Sequence, residues 1–436
     1  MSSKDVNKDK REPINSLKGM SDRTGDKYYQ MQGMFEKAQE VAEYYGFKPI
    51  ETPAMERTTL FTSGIGEGTD VVDKEMYSFS LKGSESVTLR PEYTAGIMRS
   101  YIENGMGSMP QPVMLYSYGP LWRHENPQKG RLREFHQFDL EILGSDKSIA
   151  DALIIKTLHT ILSEFGFDDL MVEINSMGDK EGRPAFIKAL TNYYKKYIDK
   201  MCPDCQDRIK TNPLRMLDCK NEICLPFKEK APQSISYLSS DSRKHFMQVL
   251  QYLEEMGIQY RINHSLVRGL AYYSHTVFEI IKVDIDENGK ERDITITGGG
   301  RYDYLARELG SKKDVPSVGT ALGFERIMMF SECKAIAPRI LKTPKIYFIQ
   351  LGFEAKLKSL QIIEVLRKSK IAVHQSVTKD SLGAQLAMAE KMNIPYTIIF
   401  GQKEAMDGTV IVRNMSTHSQ DTIDITCLCD YLKRLK

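Results

Sequence analysis

Residues 113–143 constrain the fold more than any other part of the chain. Two stretches that alternate apolar and polar side chains, PVMLYSYGPLWRHE and LREFHQFDLEIL, flank the polar turn NPQKGR, and this predicts an antiparallel hairpin. Successive side chains of a strand point to opposite faces. Leu132, Phe138, Leu140 and Ile142 therefore supply a core face, while Arg131, Arg133, Phe135, Gln137, Asp139 and Glu141 share the other. A strand this apolar belongs inside a sheet, where burying an amide and two carboxyl groups is costly unless something occupies their face. Four bases (Arg123, Lys129, Arg131 and Arg133) face a single acid, Glu125, between positions 123 and 133. Guanidinium forks pair bidentately with phosphate oxygens. A solvated surface hairpin explains the charge run alone. A small amino-bearing ligand against the acids, with phosphate against the arginines, explains both features.

Two further segments carry candidate chemistry. VRGLAYYSHTVFE reads as an aromatic strand with Arg268 inside it, where an unpaired guanidinium is expensive. The competing reading is a structural ion pair with a nearby carboxylate. Alternation puts Tyr272 and Tyr273 on opposite faces, so at most one reaches a shared site. In GGGRYDYL and SVGTALGFERIMMF, Gly298, Gly299 and Gly300 permit close backbone approach and a tight turn, and Arg326 falls one turn into the following helix. Gly64, Gly66 and Gly68 alternate within SGIGEGTD, which is not the dinucleotide fingerprint. Residues 61–79 read instead as a mobile loop. The eight histidines show no metal-ligand spacing, and His136 reads as packed or hydrogen-bonded.

Helical periodicity begins near Asp26 and runs through Met31, Met34, Ala38, Val41 and Tyr45, with Gly46 at the C-cap position. Residues 1–16 are polar and expected to be disordered. Residues 180–262 are helical, lysine-rich and hold most of the cysteines, and so read as an inserted subdomain. After a linker, KAIAPRILKT, strands and helices alternate over residues 344–436, the length of a small α/β domain. That segment has 13 Lys+Arg against 9 Asp+Glu, a local charge of +4, whereas the whole chain balances 60 against 58. The near balance excludes a uniformly basic nucleic-acid coat but leaves room for basic patches. No apolar run approaches the ~20 residues of a membrane-spanning helix, and MSSKDVNKDKREPINS fits no targeting signal. Seven cysteines in 436 residues favour a reducing compartment. The expectation is a cytoplasmic, multidomain protein with no membrane association.

Taken in order, these segments resemble the histidyl-tRNA synthetase family, bacterial type, among the class II aminoacyl-tRNA synthetases. WRHENPQKGRLREFHQ is similar to class II motif 2, and GTALGFERI to motif 3. RGLAYYSHTVFE and GGGRYD resemble the two family signatures, GFKPIETPAMERTTLF resembles motif 1, and TLRPEYTAGIMR resembles the substrate-pocket segment. The trailing module is similar to the anticodon-binding domain. The resemblance spans about residues 18–436 and implies an α+β fold. Its catalytic domain, residues 17–335, has a mainly antiparallel six-stranded sheet interrupted by the helical insertion, and an α/β anticodon-binding domain follows at 344–436.

The implied activity is histidine–tRNA ligation, in which L-histidine and ATP with Mg²⁺ form histidyl-adenylate and the histidyl group passes to the 3′ end of tRNA(His). The resemblance assigns Glu92, Gln137, Glu141 and Tyr273 to histidine, with the carboxylates facing its ammonium. Arg123 takes the α-phosphate and adenine side of ATP, Arg131 the pyrophosphate end and Arg326 the γ-phosphate. Arg268 sits at the reacting α-phosphate in place of one metal found in relatives, and no residue of this set is a metal ligand. Motif 1 implies a homodimer. The alternative is a non-catalytic, histidine-binding paralogue, the regulatory subunit of ATP phosphoribosyltransferase. That protein lacks the trailing module and tends to lose the ATP arginines, and this chain has both.

Three positions depart from the family pattern. Ala271 stands where the family usually has Asp, leaving Arg268 or the adjoining pocket short of an orienting partner. Tyr93 stands where glycine is common, so that loop must pack differently. Asn126 and Leu132 replace an arginine and a tyrosine of motif 2, and the loop change at Asn126 leaves open how the tRNA acceptor end is read. Separately, Cys202-x2-Cys205 and Cys219-x4-Cys224, 13 residues apart, come close to a four-thiolate zinc pattern. With irregular spacing and no metal required by the chemistry, half-buried thiols are the favoured reading over zinc.

Overall fold

The computed structural model describes residues 13–66, 68–127, 130–285, 291–339 and 344–435. Lys129 and residues 1–12 lie outside these, and residues 13–16 carry no helix or strand. The chain divides into two compact units, Met1–Pro338 and Arg339–Lys436.

In the first unit the hairpin forms as its alternation requires. Val113–Trp122 runs antiparallel to Glu134–Leu143, with Trp122 opposite Glu134. Ser317–Gly323, Glu291–Arg301, Ser274–Ile285 and Leu170–Ser176 continue the sheet, each antiparallel to its neighbour. Two short strands, Lys48–Pro49 and Tyr260–Ile262, add parallel pairing at the edges. The sheet therefore has eight strands, an antiparallel six-stranded body plus two edge strands. Phe138, Leu140 and Ile142 pack into the main core against helices Gly25–Tyr44, Ser148–Glu164 and Ser240–Glu255. Helix Thr94–Glu103 covers part of the other face through Ile97, Met98 and Tyr101.

Three local expectations change. Gly298, Gly299 and Gly300 lie within the Glu291–Arg301 strand, not in a turn. They are needed there because a Cβ at Gly299 would come 2.1 Å from the Gly319 carbonyl oxygen, and one at Gly298 would come 2.6 Å from that of Phe278. Much of the 61–79 stretch is regular: helix Thr58–Ile65, a π-helical turn Val71–Glu75 and strand Ser78–Ser80. Leu60, Phe61, Ile65 and Val71 share a small core with Ala95, and that burial outweighs the cost of ordering glycines. The helical insertion has its own core, built from Met177, Phe186, Leu190, Tyr194 and the cysteines. Its C-terminal part does not belong to that core, because Phe246, Val249, Leu250 and Leu253 pack into the main one.

Arg301 fastens sheet to helix. Its fully buried guanidinium bonds both carboxyl oxygens of Asp151, Asp303 Oδ1 at 3.1 Å and the Ser145 carbonyl at 2.7 Å. Burial alone would raise the Asp151 carboxyl, but the charge and hydrogen bonds of Arg301 together with His245 outweigh it and hold that group well below the usual range.

The second unit is a five-stranded sheet. Val373–Gln375, Ile346–Gln350 and Tyr396–Phe400 run parallel, and Thr409–Asn414 and Gln420–Asp424 continue antiparallel. Separate apolar clusters cover its two faces, one around Phe348, Leu366 and Phe400 and the other around Tyr347, Ile349 and Ala389.

Removing one partner of a buried, hydrogen-bonded charge pair costs about 3–5 kcal/mol. Arg301→Ala is accordingly expected to lower the first unit's unfolding free energy by that amount in urea titrations. A loss under ~1 kcal/mol would mean that the contact does not hold sheet and helix together.

Candidate active site

The face of the sheet opposite the main core opens into a cavity of about 620 Å³. One wall is acidic. Alternation along Glu134–Leu143 brings Phe135, Gln137 and Asp139 onto it. Glu92 joins them from the loop before helix Thr94–Glu103, where its carboxylate accepts the backbone N–H groups of Thr94 at 2.8 Å and Ala95 at 2.9 Å. An acid at a helix N-terminus is favourable. Burial nevertheless dominates and leaves the Glu92 carboxyl above its ordinary value. Asp139 is raised well above the carboxylate range, first by burial and then by the charges of Glu141 and Glu92. Its Oδ1 and the Gln137 Oε1 have no hydrogen-bond partner among the described residues.

Glu141 stands behind this wall rather than on it. It is fully buried, accepts the Thr94 hydroxyl at 2.6 Å and is hydrogen-bonded by the Tyr302 hydroxyl. Gly319 lies directly opposite on the neighbouring strand, and a Cβ there would overlap the Glu141 carboxyl. Burial pushes the Glu141 carboxyl up to about 8, against the lowering effect of both hydroxyl donors.

Arginines line the rest of the cavity. Arg123 donates from Nε to the Pro91 carbonyl at 2.9 Å and lies over the Phe135 ring, 5.3 Å from its centroid. Arg131 pairs with Glu125 at 3.1 Å and is largely exposed, and Arg326 projects from the short helix Phe324–Ile327. Arg268 pairs with Glu279, which also accepts the Thr295 hydroxyl at 2.9 Å, while the Arg268 Nε has no hydrogen-bond partner among the described residues.

All the sequence-assigned residues except Glu141 line this one cavity. Arg268 precedes the Ser274–Ile285 strand instead of lying inside it. The chain turns at residues 271–272, which removes strand alternation, so Tyr272 and Tyr273 both reach the cavity with ring centroids 4.7 Å apart. Arg133 is drawn away to the Glu125 carbonyl at 3.2 Å. His136 is buried and hydrogen-bonded, its backbone N–H reaching Glu325 at 2.8 Å and its ring facing Glu325 and Arg23.

The departures from the family pattern have structural reasons. Ala271 abuts Gly66, where a Cβ would come within 2.8 Å of the Ala271 Cβ, so a longer side chain has little room. The orienting carboxylate for Arg268 is Glu279. Tyr93 is fully buried beside Arg90, and its hydroxyl occupies the space over Gly119, where a Cβ would lie 2.6 Å away. Asn126 is exposed, and Leu132 lines the cavity. Asp139 shared the polar face in the sequence pattern but was not among the residues the resemblance assigned to histidine. Glu279 and Thr94 carried no signal beyond their presence in quoted motifs. Arg215, which lines the cavity from the insertion and pairs with Asp70, carried none.

An antiparallel sheet whose cavity joins buried acids to several arginines is the architecture of a class II aminoacyl-tRNA synthetase core. The family model described as "tRNA synthetase class II core domain (G, H, P, S and T)" matches residues 77–332, and "Anticodon binding domain" matches residues 345–435. The chain is 37% identical over 420 residues to a histidine–tRNA ligase from Caldicellulosiruptor saccharolyticus, covering 96% of this chain and 99% of that one. It is 39% identical over 394 residues to a histidine–tRNA ligase from Desulforamulus reducens, covering 90% and 93%. The crystal structure of apo Staphylococcus aureus histidyl-tRNA synthetase superposes with a TM-score of 0.78 at 30% identity, covering 97% of this chain and all of that one. The chain belongs to the histidyl-tRNA synthetase family.

The raised Glu141 carboxyl has a consequence for stability. Its pKa is about 8 when folded against an ordinary 4.5. The folded state therefore binds more protons between these values, and stability falls as pH rises through that window. Relative to Glu141→Gln, which cannot titrate, wild-type protein without ligands should lose thermal stability from about pH 5 upward and level off above about pH 8. Parallel pH profiles for the two proteins would contradict the assignment.

Proposed function

We propose that this chain ligates L-histidine to tRNA(His) in two steps, and that the acidic wall and the arginines divide the work. The observation that carries this reading is the single cavity in which buried, under-bonded carboxyl and amide groups adjoin several guanidinium groups. An amino acid supplies the cation that the acids lack, and ATP supplies the phosphates. Glu92, Gln137 and Tyr273 hold histidine, with Asp139 added to the set. Glu141 acts from behind, orienting Thr94 and Tyr302 and adding negative potential at the ammonium.

Histidine's own carboxylate is ionised at neutral pH, so it attacks the α-phosphorus without a general base. A carboxyl O–P bond forms, the bond to the β-phosphate bridging oxygen breaks, and pyrophosphate leaves. Catalysis then consists of orientation and charge stabilisation. Arg123 and Arg268 hold the α-phosphoryl oxygens, and Arg131 and Arg326 the departing pyrophosphate. Class II synthetases generally work with Mg²⁺, which neutralises charge on the ATP phosphates when bound. Among the carboxylates of the cavity, that of Glu279, with Thr295 beside it amid these arginines, would supply an oxygen ligand to such an ion. In the second step the 3′-terminal adenosine hydroxyl of the tRNA attacks the activated carbonyl and AMP departs.

The proposed division of the chain assigns residues 17–335 to catalysis, with the insertion at about 180–262, and residues 344–436 to the anticodon. We also propose a cytoplasmic homodimer, supported by the motif 1 resemblance. Among the described residues no helix is long and apolar enough to cross a membrane. The regulatory-paralogue reading is disfavoured because the arginine set is complete and the second α/β unit is present.

The test is histidine-dependent ATP–pyrophosphate exchange with purified protein. Exchange is expected, and its absence from well-folded protein would remove the enzyme reading. Arg268→Ala should lower the exchange kcat by about 10²–10³-fold, as loss of one charge-stabilising donor does, with little change in histidine affinity. Equal loss in both would mean a structural arginine. Glu141→Ala should raise the histidine KM, and an unchanged KM would contradict its role behind the acidic wall.

A further inference from the structure

The four cysteines of the insertion are unused by the proposed reaction, and the fold brings them together. Cys202 precedes helix Pro203–Thr211 and Cys205 lies in its first turn. Cys219 follows the turn Pro213–Met216, and Cys224 ends the turn Glu222–Cys224. The helix and turn between Cys205 and Cys219 reverse the chain, so the irregular sequence spacing disappears in space. All four are buried free thiols, and their sulfurs lie within 4.8 Å of one another. The Cys202 and Cys219 sulfurs are 3.7 Å apart, and those of Cys205 and Cys224 are 3.9 Å apart. Zinc–thiolate bonds of ~2.3 Å in a tetrahedron place sulfurs ~3.8 Å apart. The backbone N–H of Cys202 points at the Cys224 sulfur, 3.4 Å away, as a donor supporting a ligating thiolate.

We propose that Cys202, Cys205, Cys219 and Cys224 hold one zinc ion as four thiolates, closing a structural site at the centre of the insertion. A four-thiolate set leaves no coordination position for water, so the ion takes no part in catalysis. Its effect is to position the insertion. The segment between Cys205 and Cys219 carries Arg215, which pairs with Asp70 and lines the cavity. Asp218 and Lys220, flanking Cys219, line it too. On the other side the thiol core includes Leu266, with Val267 packed against it, immediately before Arg268. Zinc in this core therefore braces one wall of the cavity from behind. The insertion's core is small and mainly served by short helices, the situation in which metal binding contributes most to folding.

Elemental analysis of full-length protein, purified without chelator under reducing conditions, tests this directly. One zinc per chain is expected, released as four equivalents of a mercurial reagent are added beyond the three taken up by Cys333, Cys427 and Cys429. Cobalt(II) reconstitution of the stripped protein should give thiolate charge-transfer and tetrahedral d–d bands. The double variant Cys219→Ser/Cys224→Ser should lose the metal and become susceptible to limited proteolysis between residues 196 and 238. If that variant fails to fold, comparing proteolysis of stripped and zinc-reloaded wild type gives the same answer, with protection restored by zinc. Three results would overturn the proposal: no zinc after anaerobic reloading with all four thiols still reactive, iron with visible absorbance, or two disulfides in the purified protein.

Discussion

Glu92, Asp139 and Glu141 sit in and behind one wall of the cavity, and burial pushes all three carboxyl groups above their ordinary values. Such a cluster is tolerable only while its members are neutral, hydrogen-bonded or opposed by a cation. Each is managed differently here. Glu92 takes the N-terminal N–H groups of a helix, Glu141 takes the hydroxyls of Thr94 and Tyr302, and Asp139 keeps one oxygen without a partner among the described residues. The unfinished group, Asp139, faces the cavity. A ligand bringing positive charge complements this wall, and phosphate complements the arginines beyond it, which is the division of work proposed for histidine and ATP.

The sheet makes this arrangement sterically feasible. Gly319 faces the Glu141 carboxyl, and Gly298 and Gly300 clear space for Arg268 and Tyr273 respectively. A Cβ at Gly298 would lie 2.8 Å from an Arg268 guanidinium nitrogen, and one at Gly300 would lie 2.9 Å from the Tyr273 ring. Glycine weakens strand interiors. Here the sheet gives up that stability so that the large side chains of Arg268 and Tyr273 can lie close against it.

The hairpin was legible because period-two alternation is a local signal, and the same signal marked Gln137, Asp139 and Glu141 as one polar face. It could not say how deep each lies. Glu141 passes behind the wall because Gly319 and Tyr302, distant in sequence, receive it. Reading Arg268, Tyr272 and Tyr273 as strand residues failed because a turn at residues 271–272 interrupts an otherwise strand-like composition. Tertiary contact also explains what pattern could not: the pairing of Ala271 with Gly66, of Tyr93 with Gly119, and the entry of Arg215 from the insertion. The four cysteines show the converse case, since their linear spacing obscured a convergence that the fold makes plain.

The central claim is that buried acids whose ionisation burial disfavours await the ammonium of histidine. Calorimetric titration of histidine into the protein at pH 7, repeated in buffers of different ionisation enthalpy, measures the protons exchanged on binding. The account predicts net proton release, because an ammonium entering the wall favours the ionised carboxylates. Proton uptake, or no exchange at all, would contradict it.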